Sequence, residues 1–182
     1  SLVSNSPVTD GKQVYAFFGS RGLYCLDFDG KIVWQKDMGR MESRHAHGEG
    51  SSPALSGETL VVNWDHQKQS RLMAFNTRIG KEIWSVDRDE MTSWSTPLIV
   101  EADGRTQVVA SATGAVRGYE LKTGAVVWEC RGLSRNVVAT PVAGDGMVFA
   151  ANSYDWQAMM GIRLAGAKGD ITESTNVVWK LD

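Results

Sequence analysis

The sequence predicts an all-β protein, a β-propeller of four-stranded antiparallel blades with four blades in this chain. Two repeated features carry this prediction. Every proline follows Ser or Thr and precedes an apolar residue, and a tryptophan follows each proline later in the same copy. The prolines are Pro7, Pro53, Pro97 and Pro141, which lie 46, 44 and 44 residues apart, and the tryptophans are Trp34, Trp84, Trp128 and, after a longer insert, Trp179. A unit of this length that recurs along a chain is the mark of a repeat architecture.

Each copy contains short β-type runs separated by tight turns. In the first copy the turns contain Asp10-Gly11, Ser20–Gly22 and Asp29-Gly30, with Val, Tyr and Phe frequent between them. Such turns join antiparallel strands, and no long stretch has the helical period. Four strands per copy match a propeller blade. We expect one domain, 1–182, with blades at 6–37, 52–87, 95–130 and 139–182.

The two repeated residue types have physical roles in such a blade. Proline lacks an amide hydrogen, so it suits the first residue of a strand, where no ladder bond is lost. A tryptophan offers about 200 Å² of apolar surface, and burial of that area corresponds to at most about 5 kcal/mol. It can fill the wedge between twisted neighbouring blades. Strand number alone also allows a β-sandwich, but a sandwich does not require a repeating unit.

Composition excludes several classes of function. The 182 residues carry a net charge of −2, so the chain has no basic field for nucleic acid. No apolar run reaches the roughly 18 residues of a membrane span, and Ser1–Asn5 lacks the features of a signal peptide. Cys25 and Cys130 lie far apart without a metal or redox spacing. We expect both to be buried thiols.

The repeated motifs resemble those of a known family. In the third copy they read Thr96-Pro97-Leu98, Asp103-Gly104, Gly118–Leu121, Thr123-Gly124 and Trp128. This pattern resembles the PQQ-like repeat of quinoprotein-type propellers, from about Pro7 to Trp179. The resemblance implies a ring of seven or eight blades, of which this chain supplies four. It also implies a bacterial, periplasmic or otherwise exported protein.

The resemblance implies two kinds of function. Some members are dehydrogenases that hold pyrroloquinoline quinone (PQQ) beside a calcium ion, often under two adjacent cysteines. Cys25 and Cys130 are not adjacent. Other members bind no cofactor and act as protein-binding scaffolds, among them a lipoprotein that helps to assemble outer-membrane barrels. Since the chain begins at an inner strand and ends at an outer one, we expect the remaining blades or a second copy to close the ring.

Residues that break the repeat are the candidates for function. In a propeller, the connectors between blades and the loops between second and third strands share one edge, which we call the connector rim. Because polar and aromatic residues concentrate there while the opposite edge has short turns, we expect the connector rim to be the binding face. The candidates are Arg44, His45, His47, Trp64, Asp65, His66, Trp94, Arg135, Asn136, Asp155 and Trp156.

These residue types allow several roles. The three histidines suit either a three-nitrogen metal site or ordinary hydrogen bonding in loops. The sequence does not decide whether a metal ion binds. Arg44, Arg135 and Asn136 suit an anionic group or a partner carboxylate. The tryptophans suit stacking on a ligand or packing beneath the connectors.

No catalytic motif occurs, and no catalytic residue is predicted. The favoured interpretation is a non-catalytic module, without cofactor, that binds a protein or a small ligand on the connector rim. The alternative is part of a PQQ- and calcium-dependent oxidoreductase.

Overall fold

The computed structural model describes residues 4–181. The two predicted boundaries of the domain, Ser1 and Asp182, therefore lie outside the described residues. Strands of the first blade are β1 (Val8–Thr9), β2 (Val14–Phe17), β3 (Leu23–Leu26) and β4 (Ile32–Lys36). Those of the second are β5 (Ala54–Ser56), β6 (Thr59–Trp64), β7 (Ser70–Asn76) and β8 (Glu82–Arg88). The third has β9 (Leu98–Ala102), β10 (Arg105–Ser111), β11 (Val116–Glu120) and β12 (Val126–Cys130). The fourth has β13 (Val142–Gly144), β14 (Met147–Asn152), β15 (Ala158–Arg163) and β17 (Val177–Leu181).

The sheet topology confirms the predicted blades. In each blade the four strands pair antiparallel in chain order. Two short 3₁₀ turns, Gly19–Arg21 and Arg44–Ala46, are the helical elements of the described residues. No helix among residues 4–181 has the length and apolar character to cross a bilayer.

One further strand was not predicted. β16 (Gly169–Asp170) belongs to the insert before β17, and it pairs parallel with β12 of the third blade. The amide of Ile171 continues this contact by donating to the carbonyl oxygen of Glu129 at 2.8 Å. The insert therefore covers part of the outer edge of the third blade, an edge that would otherwise present unpaired backbone groups.

The repeated tryptophan has the same local setting in every blade. It pairs across the sheet with a small residue of the third strand, and the register shifts by a bulge directly after that residue. The pairs are Cys25 with Trp34, Ala74 with Trp84, Gly118 with Trp128, and Gly161 with Trp179. At Gly118 an added Cβ atom would collide with the indole of Trp128. The small residue is thus required because the indole lies directly over it.

Two of these tryptophans connect one blade to the next. The Nε1–H of Trp34 donates to the carbonyl oxygen of Thr77 at 2.7 Å, and that of Trp84 donates to Leu121 at 2.8 Å. Trp128 instead donates to Oε1 of Gln107 in its own blade, at 2.9 Å. These three indoles therefore each have a hydrogen-bond partner, as buried tryptophans generally do.

The Ser or Thr before each proline connects the inner strands. The amide of Ser6 donates to Oγ of Ser52 at 2.8 Å, and the amide of Ser52 donates to Oγ1 of Thr96 at 3.1 Å. The amide of Thr96 continues the ladder to Oγ1 of Thr140 at 3.3 Å. These bonds join equivalent positions of consecutive blades, and β1 contacts β5 as β5 contacts β9.

The hydrophobic core lies between consecutive blades in three clusters. Tyr15 and Phe17 of the first blade pack against Leu60 and Phe75 of the second. Similar clusters join the second blade to the third and the third to the fourth. Cys25 and Cys130 are both fully buried in these clusters, which confirms the prediction of packed thiols. Because neighbouring blades supply each other's core, the four blades stabilise one another.

Candidate functional site

The connector rim carries an open cleft of about 920 Å³, which we call the rim cleft. The first connector forms one wall with residues 40–46, and residues from other loops complete it. The side chains that line the cleft include Ser20, Arg40, Met41, Glu42, Arg44, His45, Glu49, Gln67, Met91 and Arg135. The cleft is thus bordered by loops of the first and second blades and by the connectors between consecutive blades.

Hydrogen bonds from the neighbouring loops hold the first connector in place. The amide of Arg44 donates to Oγ1 of Thr92 at 3.0 Å, and Nε2 of Gln67 donates to the same hydroxyl at 2.8 Å. The amide of Gln67 donates to the carbonyl oxygen of Glu42 at 2.9 Å. The connector therefore has a defined path over the second blade.

A buried carboxylate anchors the far end of this connector. Glu49 is 6% exposed. Its Oε2 accepts from the amide of Ser20 at 2.5 Å, and its Oε1 accepts from the hydroxyl of Ser20 at 2.6 Å. The Ser20 hydroxyl oxygen also accepts from the amide of Met41 at 2.8 Å. These bonds give each oxygen of Glu49 a donor and fasten the connector to the first blade.

The backbone at the cleft adopts costly conformations. His45 and Ala46 have φ angles of 52° and 55°, in the left-handed region that residues with a Cβ atom avoid. Asn136, on the facing loop, has a φ of 55°. Non-glycine residues held in this region cost on the order of 1–3 kcal/mol each, and such strain clusters at functional sites.

Arg44 is half-buried at the junction of these strained residues. Its Nη1 donates to Oδ1 of Asn136 at 3.3 Å, and its Nε lies 3.3 Å from Nε2 of His45. A guanidinium has five N–H donors, so these contacts leave several toward the cleft. Within residues 4–181, Arg44 forms no ion pair.

Arg135 also borders the cleft, but a carboxylate holds it. Its Nε and Nη2 donate to the two oxygens of Asp155 at 2.8 Å each. This bidentate contact with Arg135 lowers the pKa of Asp155 below its usual value. The two predicted residues therefore form one exposed pair that links two loops of the rim.

A buried ion pair lies beneath the rim. Nε and Nη2 of Arg88 donate to the two oxygens of Asp65 at 3.0 and 3.1 Å, and both side chains are almost fully buried. The hydroxyl of Ser93 donates to Oδ2 of Asp65 at 2.6 Å, while Nη1 of Arg88 donates to the hydroxyl of Tyr119 at 2.9 Å. Burial disfavours the charge of Arg88, but Asp65 and other neighbours outweigh it and raise the pKa. The network joins the second blade to the third.

His66 is engaged at both ring nitrogens. Nδ1 accepts from the amide of Glu42 at 3.2 Å, and Nε2 lies 3.1 Å from the carbonyl oxygen of Gln69. These contacts fit the neutral tautomer that carries its hydrogen on Nε2, and burial lowers the pKa of His66. His66 therefore fastens the first connector to the second blade and has no nitrogen free for a metal.

The three predicted tryptophans have different settings. Trp64 is 6% exposed and packs against Phe17 and His66, at ring-centroid distances of 6.0 and 5.9 Å. Trp94 is half-buried and its Nε1–H donates to the carbonyl oxygen of Gly48 at 3.0 Å. Trp156 is half exposed at the fourth blade. Only Trp94, of the three, lines a hollow of the rim, which it shares with His47 and Asn136.

The structure brings some predicted residues together and separates others. Arg44, His45 and Arg135 share the rim cleft. Trp64, Asp65 and His66 lie beneath the surface as supports. The sequence interpretation did not select Arg40 and Met91, which also line the cleft. Their position within connectors was the one available signal, because an isolated Arg or Met in a loop is an ordinary solvated residue.

The side chains of the rim do not fit a calcium-bound quinone. Among residues 4–181, no group of three His, Cys, Asp or Glu residues could hold a metal ion. Five carboxylates of the rim are engaged by protein donors: Glu42 by Lys68, Glu49 by Ser20, Asp65 by Arg88, Glu90 by Arg117, and Asp155 by Arg135. The two cysteines are buried in different interblade clusters. We therefore derive no chemistry through PQQ or calcium.

Comparison with known proteins places the chain in a family. A family model described as outer membrane protein assembly factor BamB matches residues 2–180. The chain belongs to this family. No curated protein matches the sequence.

The BamB-family assignment agrees with the solved structures that the fold resembles. BamB from Moraxella catarrhalis superposes with a TM-score of 0.66 at 18% identity, covering 97% of this chain and 50% of that one. A quinohemoprotein alcohol dehydrogenase from Pseudomonas putida HK5 superposes with a TM-score of 0.68 at 15% identity, covering 99% and 34%. Identities this low establish the propeller fold alone. The chain spans about half of that BamB and a third of that dehydrogenase.

Proposed function

We propose that this chain is part of a non-catalytic propeller scaffold that binds another protein through its connector rim. The observation that carries the proposal is the rim cleft, an open concavity of about 920 Å³ whose walls are joined by hydrogen bonds between loops and connectors of neighbouring blades. A rigid scaffold that presents loops in a fixed geometry is suited to recognition. The family description as an assembly factor supports a protein as the ligand.

The strain in the first connector supports the same face. Within residues 4–181, five non-glycine residues have a positive φ, and three of them, His45, Ala46 and Asn136, lie on the connector rim. The other two, Asp103 and Asp145, occupy Asp-Gly turns on the opposite edge, where tight hairpins require this conformation. Only on the connector rim is the strain not explained by a hairpin turn.

We further propose a bacterial cell envelope as the setting, from the description of the family as an outer membrane assembly factor. The proposal includes the closure of the propeller by further blades or by a second copy. The fourth blade presents an apolar face that includes Val142, Trp179 and Leu181, which are 59%, 37% and 63% exposed. Apolar patches of this kind mark contact surfaces.

Site-specific photo-cross-linking in cells that produce the protein tests the binding face. A photoreactive amino acid replaces Met91 in the rim cleft, and in a matched variant it replaces Ile79, an exposed apolar residue between β7 and β8 on the opposite edge. We expect discrete protein adducts from position 91 and only background from position 79. Mass spectrometry then identifies the adducts.

Two results would refute the proposal. One is the absence of adducts at position 91 when the variant is folded and abundant. The other is an identical set of adducts from positions 79 and 91, since contact would then not depend on the connector rim.

A further inference from the structure

Two guanidinium groups in the rim cleft have no carboxylate partner among residues 4–181. Arg40 is exposed and forms no side-chain hydrogen bond or ion pair within residues 4–181. Within residues 4–181, the side chain of Arg44 forms hydrogen bonds with His45 and Asn136 alone. Guanidinium forks match carboxylates in a bidentate geometry, so the two arginines are available to an acidic ligand.

The carboxylates near the arginines neutralise them only in part. Glu42 pairs with Lys68, with 2.6 Å between Oε1 and Nζ. Both oxygens of Glu49 accept from Ser20. Ser20 carries no charge, so the carboxylate of Glu49 offsets one of the two arginines. The cleft keeps an excess of one positive charge, although the chain as a whole has a net charge of −2.

Apolar and flexible side chains lie beside these charges. Met41 is half-buried and Met91 is 53% exposed, and both line the cleft with Arg40 and Arg44. Methionine adapts its shape to varied apolar partners. A ligand that fills this cleft would thus carry a carboxylate next to an apolar side chain.

We infer that the rim cleft binds an acidic peptide segment of the partner protein, with Arg40 and Arg44 holding carboxylates and the two methionines contacting a neighbouring apolar residue. This inference rests on the proposed scaffold function. The contact of Arg44 with Asn136 and His45, both in left-handed backbone, fixes the guanidinium before the ligand arrives. Such preorganisation lowers the entropic cost of binding.

Fluorescence anisotropy with defined peptides tests the inference. The probe is a fluorescein-labelled peptide of alternating Asp and Leu, and the comparison peptide has Asn in place of every Asp. We expect saturable binding of the Asp peptide that weakens as salt rises, and at least tenfold weaker binding of the Asn peptide. The variants Arg40→Gln and Arg44→Gln should each weaken binding of the Asp peptide at least fivefold.

The control variant is Arg105→Gln. Arg105 is an exposed arginine at the start of β10, on the opposite edge, without a side-chain partner within residues 4–181. We expect this change to alter the affinity less than twofold. Circular dichroism verifies folding, and Arg40→Gln provides the test even when Arg44→Gln disturbs the loop, because Arg40 supports no other residue.

Three results would overturn the inference: equal affinity for the Asp and Asn peptides, equal losses from Arg105→Gln and Arg40→Gln, or binding to phosphatidylglycerol vesicles without binding to the Asp peptide. The cross-linking experiment distinguishes these failures from a failure of the scaffold function. Adducts at position 91 without a preference for the Asp peptide would refute the arginine site and leave the scaffold in place.

Discussion

The third and fourth blades present the same face in two environments. In the third blade, Trp128 lies over Gly118, and Val116 pairs with Cys130. In the fourth, Trp179 lies over Gly161, and Met159 pairs with Leu181. The exposed fractions are 0% for Trp128, Val116 and Cys130, against 37%, 41% and 63% for Trp179, Met159 and Leu181.

The difference shows that the repeat specifies the residue but not its contribution to stability. The fourth blade covers the face of the third blade, whereas no blade among residues 4–181 covers the face of the fourth. Apolar area contributes to folding only when it is removed from water. Equivalent substitutions in the two blades should therefore have unequal effects. Two matched pairs measure this inequality, and a third pair compares the first blade with the fourth.

Removal of the indole should give the largest difference. We expect Trp128→Ala to lower the free energy of unfolding by about 3–5 kcal/mol, since it leaves a cavity between two blades and removes the hydrogen bond to Gln107. Trp179→Ala should cost less than half of that, because its indole is already partly exposed and stacks mainly on Phe149. Urea denaturation of both variants provides the measurement.

Equal losses of unfolding free energy in Trp128→Ala and Trp179→Ala would contradict the expected difference between the two blades. Such a result would mean that the face of the fourth blade is covered in solution, by a second copy for example. Light scattering on the same samples would then report the larger assembly.

Much of the fold was predictable because the same pattern of strands and turns occurs four times in the sequence. The sequence does not reveal β16, whose two residues pair with a strand of another blade. The hydroxyl ladder was also missed, although Ser or Thr precedes each proline. Comparison of the four copies shows which residues recur. The contacts of β16 and of the hydroxyl ladder depend instead on how neighbouring copies pack against each other.

The candidate site was less predictable, for a physical reason. Trp64, Asp65 and His66 attracted attention because they follow a strand and break the repeat, yet all three are buried. The partner of Asp65 is Arg88, at the end of another strand of the same blade. Position near a turn indicates the edge of a blade but not the depth below its surface, since depth depends on loops that are distant in sequence.

A methyl group added beneath the indole should give an intermediate difference. At Gly118 the new Cβ atom would collide with Trp128, which is fixed by its neighbours, so we expect Gly118→Ala to cost about 1–3 kcal/mol. At Gly161 the Cβ atom would lie 2.6 Å from Cε2 of Trp179, and this partly exposed indole can move away. Gly161→Ala should therefore leave the thermal denaturation midpoint nearly unchanged. A larger loss of stability from Gly161→Ala than from Gly118→Ala would contradict the expected difference between the two blades.

Loss of a single hydrogen bond should give the smallest difference. Trp34→Phe keeps an aromatic ring but removes the Nε1–H that donates to the carbonyl oxygen of Thr77 in the next blade. We expect a loss of about 1 kcal/mol, because that carbonyl oxygen loses its donor at the blade interface. Trp179→Phe is the matched control, since within residues 4–181 the indole of Trp179 donates no hydrogen bond to another blade. Urea denaturation midpoints, compared at equal m-values, measure the difference between the two variants. If Trp179→Phe lowers the free energy of unfolding as much as Trp34→Phe does, then ring size, and not the hydrogen bond between blades, determines the effect.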